Sequence, residues 1–149
     1  MYKKEAFQLG KAFELASSML LPEDILDTET DDAAESQDWN WFVPYIVNRA
    51  FACELFLKSL LSDGSNEVQG HSWSKLFYSL PAEKQEAIKN HPYFKGDEDF
   101  DKKLAEGSKV FTSWRYCFEH NNSCSVEIIF LDNFTEVICG WAEKDISNM

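Results

Sequence analysis

Apolar residues recur at helical spacing along most of this chain, and the polar stretches between them mark where helices stop. Leu9, Ala12, Phe13, Ala16, Met19 and Leu20 repeat every three or four positions. That repeat predicts a first helix over 2–20, ended by Pro22. Residues 43–64 predict a central helix, with Pro44 in its first turn and Gly64 at its end. It is apolar around most of its circumference, as a helix buried on several sides must be. Two short helices follow. One lies in "HSWSKLFYSL", with Ser72 as its N-cap and Pro81 as its stop, and the next lies in "PAEKQEAIKN". A long helix is expected over 97–120, with acidic residues in its first turns as the helix dipole prefers. Asn121, Asn122 and Ser123 break the pattern. A last helix is expected over 128–143, with Phe130, Phe134, Val137, Ile138 and Trp141 on one face. There is no internal repeat and no convincing series of strands. The expected class is all-α: an up-and-down helical bundle of four to five main helices with short extra helices, in one domain over 1–149.

Composition narrows this further. At 149 residues the chain is long enough to bury a core, and its 15% aromatic content favours folding over disorder. The net charge of −12 argues against broad, sequence-blind nucleic-acid binding, because phosphate is repelled by such a surface. A run from Glu23 to Asp38 contains eight acidic residues and no basic one. It reads as a solvated acidic loop at about 22–40, its carboxylates lacking the ordered spacing of a metal site. The N-terminal stretch lacks an apolar run of signal-peptide length, and no uninterrupted apolar run is long enough to span a bilayer. The expectation is a cytoplasmic protein with no membrane association. Cys53, Cys117, Cys124 and Cys139 lie in or beside apolar segments and read as reduced thiols.

Two charges sit on apolar stripes. Glu54 lies within about 60° of Val47, Ala50, Phe51 and Leu61 on the central helix. Arg115 lies between Phe111 and Phe118. A buried charge without a partner is costly, so the economical expectation is that the two meet. Lys58 follows Glu54 by four residues and Glu119 follows Arg115 by four. Parallel helices would therefore pair Glu54 with Arg115 and Lys58 with Glu119. Equally open is that Lys58 and Glu119 reach water, as ordinary pairs within their own helices. These residues form the expected polar core: Glu54, Lys58 and Glu119, with Arg115 opposite.

The chain has two arginines and three histidines, and "RYCFEH" brings one of each together. Arginine holds phosphate through a planar fork, and histidine exchanges protons near neutral pH. Arg115 and His120 point about 140° apart on a regular helix, so they would converge on one phosphate only across a twofold axis. Cys117, His120 and Cys124 form a C-x2-H-x3-C run, but Cys117 sits between Tyr116 and Phe118 without a ligand-bearing knuckle. No metal and no cofactor is expected.

Taken in order, "NRAFACELFLKSLL", "GHSWSKLFYSL" and "FTSWRYCFEH" resemble the HEPN superfamily over roughly 43–142. The resemblance rests on an A-x-E-x-x-x-K second helix, a Gly-His pair opening the next helix and an Arg-x4-His run. It implies an all-helical, dimeric domain and metal-independent cleavage of RNA, or RNA binding as an effector, in a phage-defence or toxin–antitoxin setting. The catalytic residues would be Arg115 and His120. The implied partners are RNA, a second copy of the chain, and a cognate antitoxin or nucleotidyltransferase-like protein. The departure is Tyr116, where active members usually carry a polar residue. The alternative reading is a non-catalytic HEPN-like binding or assembly module in which Arg115 is used structurally.

Overall fold

The computed structural model describes residues 3–21, 41–62, 70–110 and 128–149, and these form six helices with no strand among them. They are α1 (Lys3–Leu20), α2 (Phe42–Leu61), α3 (Trp73–Tyr78), α4 (Ala82–Lys89), α5 (Phe100–Ser108) and α6 (Ile128–Ser147). The architecture is an all-α bundle. The main packing joins α1 to α2 and α2 to α6, while α3 lies between α2 and α5. The acidic segment at about 22–40 lies outside the described residues.

The start of α1 meets the end of α2, so these two helices run antiparallel. Lys3 Nζ donates to the Ser59 carbonyl at 2.8 Å and Ser59 Oγ donates to the Lys3 carbonyl at 2.9 Å. A lysine among the last carbonyls of α2 also complements that helix's negative end. Lys3 Nζ reaches Asp145 Oδ2 at 2.7 Å near the end of α6. At the other end, Tyr45 and Arg49 of α2 both meet Asp132 of α6, so α2 and α6 run parallel.

Helix α1 has the expected bounds but buries a different face. Ala6, Gly10 and Ser17 are buried, whereas Leu9 and Met19 are 41% and 77% exposed. Small residues let the backbones approach closely: a Cβ on Gly10 would lie 2.7 Å from a ring atom of Phe56. Phe7 and Phe13 flank this small face, with ring centroids 5.8 Å from Phe56 and 4.7 Å from Phe51 respectively. Hydrophobic periodicity finds large apolar side chains and overlooks a face made of Ala, Gly and Ser.

Helix α2 ends at Leu61 with Ser62 as its C-cap, and Gly64 lies outside the described residues. Ser72 caps α3 as expected, its hydroxyl accepting from the Lys75 N–H at 3.3 Å. Pro81 opens α4 rather than ending α3, which stops at Tyr78. The helix expected over 97–120 begins later, at Phe100, and is interrupted by a turn at Lys109 after Ser108; Val110 is helical again, and 111–120 lie outside the described residues. Gly107 weakens the helix there, and Ser108 Oγ bonds back to the Leu104 carbonyl at 3.0 Å, a geometry that bends helices. Helix α6 continues four residues beyond the expected end, where Asp145 takes its contacts with Lys3 and Lys84.

The core gathers aromatic rings around Phe134. Its centroid lies 5.5 Å from Phe130, 5.4 Å from Trp73, 6.0 Å from Phe77 and 6.1 Å from Phe94 and Phe100. Trp73 presses on the backbone of α5, where a Cβ on Gly107 would lie 2.3 Å from its ring. Gly107→Ala therefore adds one methyl where none fits, although alanine is the better helix former. It is expected to destabilise by about 1–3 kcal/mol, as measured by urea unfolding.

Candidate functional site

Helix α2 places Glu54 on its inner side, between Ala50 and Leu57, where the residue is 1% exposed. The carboxylate does not stand alone. Lys58, one turn further on, brings Nζ to 3.0 Å from Oε1. His71, just before α3, places Nδ1 2.7 Å from the same oxygen. Gly70 makes this possible: its φ of 109° turns the chain through a conformation that side-chain-bearing residues rarely adopt. The chain emerges from that turn with His71 over the carboxylate and Ser72 capping α3.

Burial is graded across the cluster. The Glu54 side chain is 2% exposed, Lys58 16% and His71 80%. A buried carboxylate thus holds one nitrogen of an exposed imidazole. With Nδ1–H donating to Glu54, the neutral ring keeps Nε2 as its basic nitrogen, on the part of the side chain open to solvent. The Lys58 ammonium shares Oε1, which withdraws charge from the contact with His71. The arrangement can hold a proton-exchanging imidazole in one orientation, and it can equally satisfy a buried charge.

Of the expected polar core, Glu54 and Lys58 are among the described residues, while the pairing of Glu54 with Arg115 and of Lys58 with Glu119 falls outside them. Lys58 pairs with Glu54 within one helix, but the pair is buried rather than on the surface. Glu119, Arg115 and His120 lie outside the described residues, as do Cys117 and Cys124. Among the described residues, the helix that runs parallel to α2 is α6. Sequence reasoning gave His71 no role, although the Gly-His pair was its visible signal.

The other arginine, Arg49, serves the bundle. Its Nε lies 3.1 Å from Asp132 Oδ1, and the Tyr45 hydroxyl donates to the same oxygen at 2.7 Å. Burial and that acceptor push the Tyr45 phenol up to about 12. The described cysteines suit packing, not nucleophilic chemistry. Burial pushes the Cys53 thiol far up, and Cys139 up to about 11, with Glu14 adding to the effect. No group of three or more histidine, cysteine or acidic residues is placed to hold a metal among the described residues. No helix among them is long and apolar enough to cross a membrane.

A separate groove runs along the outer face of α6, beside the turn after α4. Tyr93 and Trp141 contribute its aromatic walls, with Gly140 between Glu136 and Lys144 on the helix. Its volume is about 320 Å³.

Compared with known proteins, the chain matches no family model, and neither a curated protein nor a solved structure matches it.

Proposed function

We propose that this chain is a HEPN-like, metal-independent ribonuclease. Its reaction would join the ribose 2′-oxygen to the adjacent phosphorus and break the bond from phosphorus to the 5′-oxygen. The products are a 2′,3′-cyclic phosphate and a 5′-hydroxyl end. A base takes the 2′-hydroxyl proton and an acid delivers a proton to the leaving oxygen. Arg115 would hold the phosphate, and His120 would serve as one of the proton carriers. The observation that carries the reading is the Glu54–His71 contact at 2.7 Å, which fixes an exposed imidazole on a buried carboxylate. It supplies a second oriented proton carrier in a chain that has three histidines in all. The order of the motifs and the all-helical bundle support the same reading. The setting that fits is phage defence or toxin–antitoxin pairing, in the cytoplasm, with a homodimer and a cognate antitoxin or nucleotidyltransferase-like partner.

The test is cleavage of RNA by the purified protein in chelator, read for cyclic-phosphate ends. Wild type is expected to cleave and His120→Ala to lose cleavage while remaining folded. Arg115→Ala is expected to lose activity together with affinity or stability. His71→Ala is expected to lower the rate about 10²-fold or more and to change the pH profile. Absence of cleavage of any RNA, or full activity in His120→Ala, overturns the reading.

A second reading has its own observation. Glu54 is fully buried and already shared by Lys58 and His71, which suits a structural polar core in a non-catalytic binding or assembly module. No RNA binding at low salt, with a dimer in light scattering, favours this second reading.

A further inference from the structure

Glycine is a poorer helix former than alanine, so a helical glycine calls for a reason. Gly10 and Gly107 have one, since Phe56 and Trp73 occupy the space a side chain would take. Gly140, in the middle of α6, has no such neighbour: a Cβ there meets no described atom within 4 Å. The missing side chain leaves bare backbone on an exposed helix face, which another helix can approach closely.

One turn to either side of Gly140 stand opposite charges, Glu136 before it and Lys144 after it, both exposed. Neither enters an ion pair among the described residues, and Lys144 Nζ lies 5.4 Å from the Trp141 ring centroid. Two turns to either side stand uncharged polar residues, Asn133 and Ser147. At 100° per residue all four lie within about 40° of Gly140 around the helix. Followed outward from Gly140 in its two directions, the face is its own complement: acid against base, amide against hydroxyl. A twofold axis at Gly140 sets a second copy of α6 antiparallel to the first, so that each contact occurs twice. Glu136 then faces the partner's Lys144, and Lys144 faces the partner's Glu136. A parallel pair would put like charges together. The chain carries a net charge of −12, so most of its surface repels a second copy. This arc of α6 balances one acid with one base and escapes that repulsion.

We propose that the outer face of α6 docks on a second copy of this chain, antiparallel about Gly140, with Glu136 and Lys144 paired in both directions. Tyr93, 48% exposed, and Trp141 edge the groove beside Gly140 and would rim the contact. Two crossing helices bury less than the roughly 800 Å² per partner of a stable complex, so a dimer of micromolar affinity is expected. The ribonuclease reading calls for a homodimer but names no face for it. The α6 face uses none of Glu54, His71, Arg115 or His120 and does not depend on RNA cleavage.

The experiment is sedimentation equilibrium of the full chain from micromolar to near-millimolar concentration. Wild type is expected to pass from monomer to dimer. Glu136→Lys and Lys144→Glu each bring like charges together at both ends of the contact, and each should weaken the dimer about tenfold or more. A chain carrying both changes regains opposite charges and should dimerise within about threefold of wild type. The two single variants mixed in equal amounts should form a dimer at concentrations where neither does so alone, because opposite charges again meet across the axis. Gly140→Leu should hold the backbones apart and weaken the dimer about tenfold or more, while the thermal midpoint of the dilute monomer holds or rises. A wild-type chain that stays monomeric throughout overturns the proposal. So does a dimer that the single charge variants and Gly140→Leu leave intact in a folded protein, which places the twofold axis on another face. Failure of the doubly changed chain to regain the dimer overturns it as well. A chain that dimerises in the expected pattern yet cleaves no RNA rejects the ribonuclease reading and leaves this one standing.

Discussion

Glu54→Ala is expected to lower the free energy of unfolding by about 3–5 kcal/mol. The loss does not come from packing alone. Removing the carboxylate leaves the Lys58 ammonium, only 16% exposed, without the oxygen it meets at 3.0 Å. It also releases His71, and with it the link between the turn at Gly70 and the inner side of α2. Glu54→Gln keeps the shape and one acceptor oxygen and gives up the charge. It is expected to cost about 1–2 kcal/mol, the range of a weakened charge-assisted hydrogen bond. Lys58→Met, which removes the other charge and keeps the stem, should partly rescue Glu54→Ala when the two are combined. Urea unfolding of the four proteins checks this. Nearly neutral single changes would mean that the carboxylate is solvated and the buried cluster does not exist.

Phe134→Ala is expected to cost about 3–5 kcal/mol. Phe134 is fully buried, and five aromatic rings from α3, α5, α6 and the turn at 94 lie within 6.1 Å of its centroid. Deleting the ring opens a cavity that these neighbours cannot collapse into, because each is fixed by its own helix or, for Phe94, by its turn. Phe134→Leu fills most of that volume and should cost less than half as much. Guanidinium melts read both changes. The comparison with Ile129→Ala on the same helix is the control, since Ile129 is 71% exposed and should change stability by less than about 0.5 kcal/mol.

Much of the candidate site was legible because charge on an apolar stripe is a local signal. Glu54 had to be buried once α2 was apolar on most sides, and Lys58 one turn away was a ready partner. His71 was not legible in that way. It meets Glu54 across 17 residues of chain, through a glycine turn whose direction no periodicity reports. The groove was hidden for the same reason, since His91 and Tyr93 are brought to α6 beside the packing of Phe94 against Phe130 and Phe134. Gly140 inside a strong helical pattern was the one mark it left on the sequence.

By itself the sequence determined that this chain forms helices, roughly where those other than α5 begin and stop, and that α2 and α6 carry the core. Those features follow from the spacing of apolar side chains and from capping residues such as Ser72, which act over one or two turns. Tertiary structure alone decided which face of α1 is buried, where α5 ends, and which groups satisfy Glu54. Each of these depends on how closely two helices approach: Gly10 against Phe56, Gly107 against Trp73, and the turn at Gly70 that lays His71 over α2. Contacts of that kind join residues far apart in the chain, and their energies depend on tenths of an ångström that a pattern of polar and apolar positions does not carry.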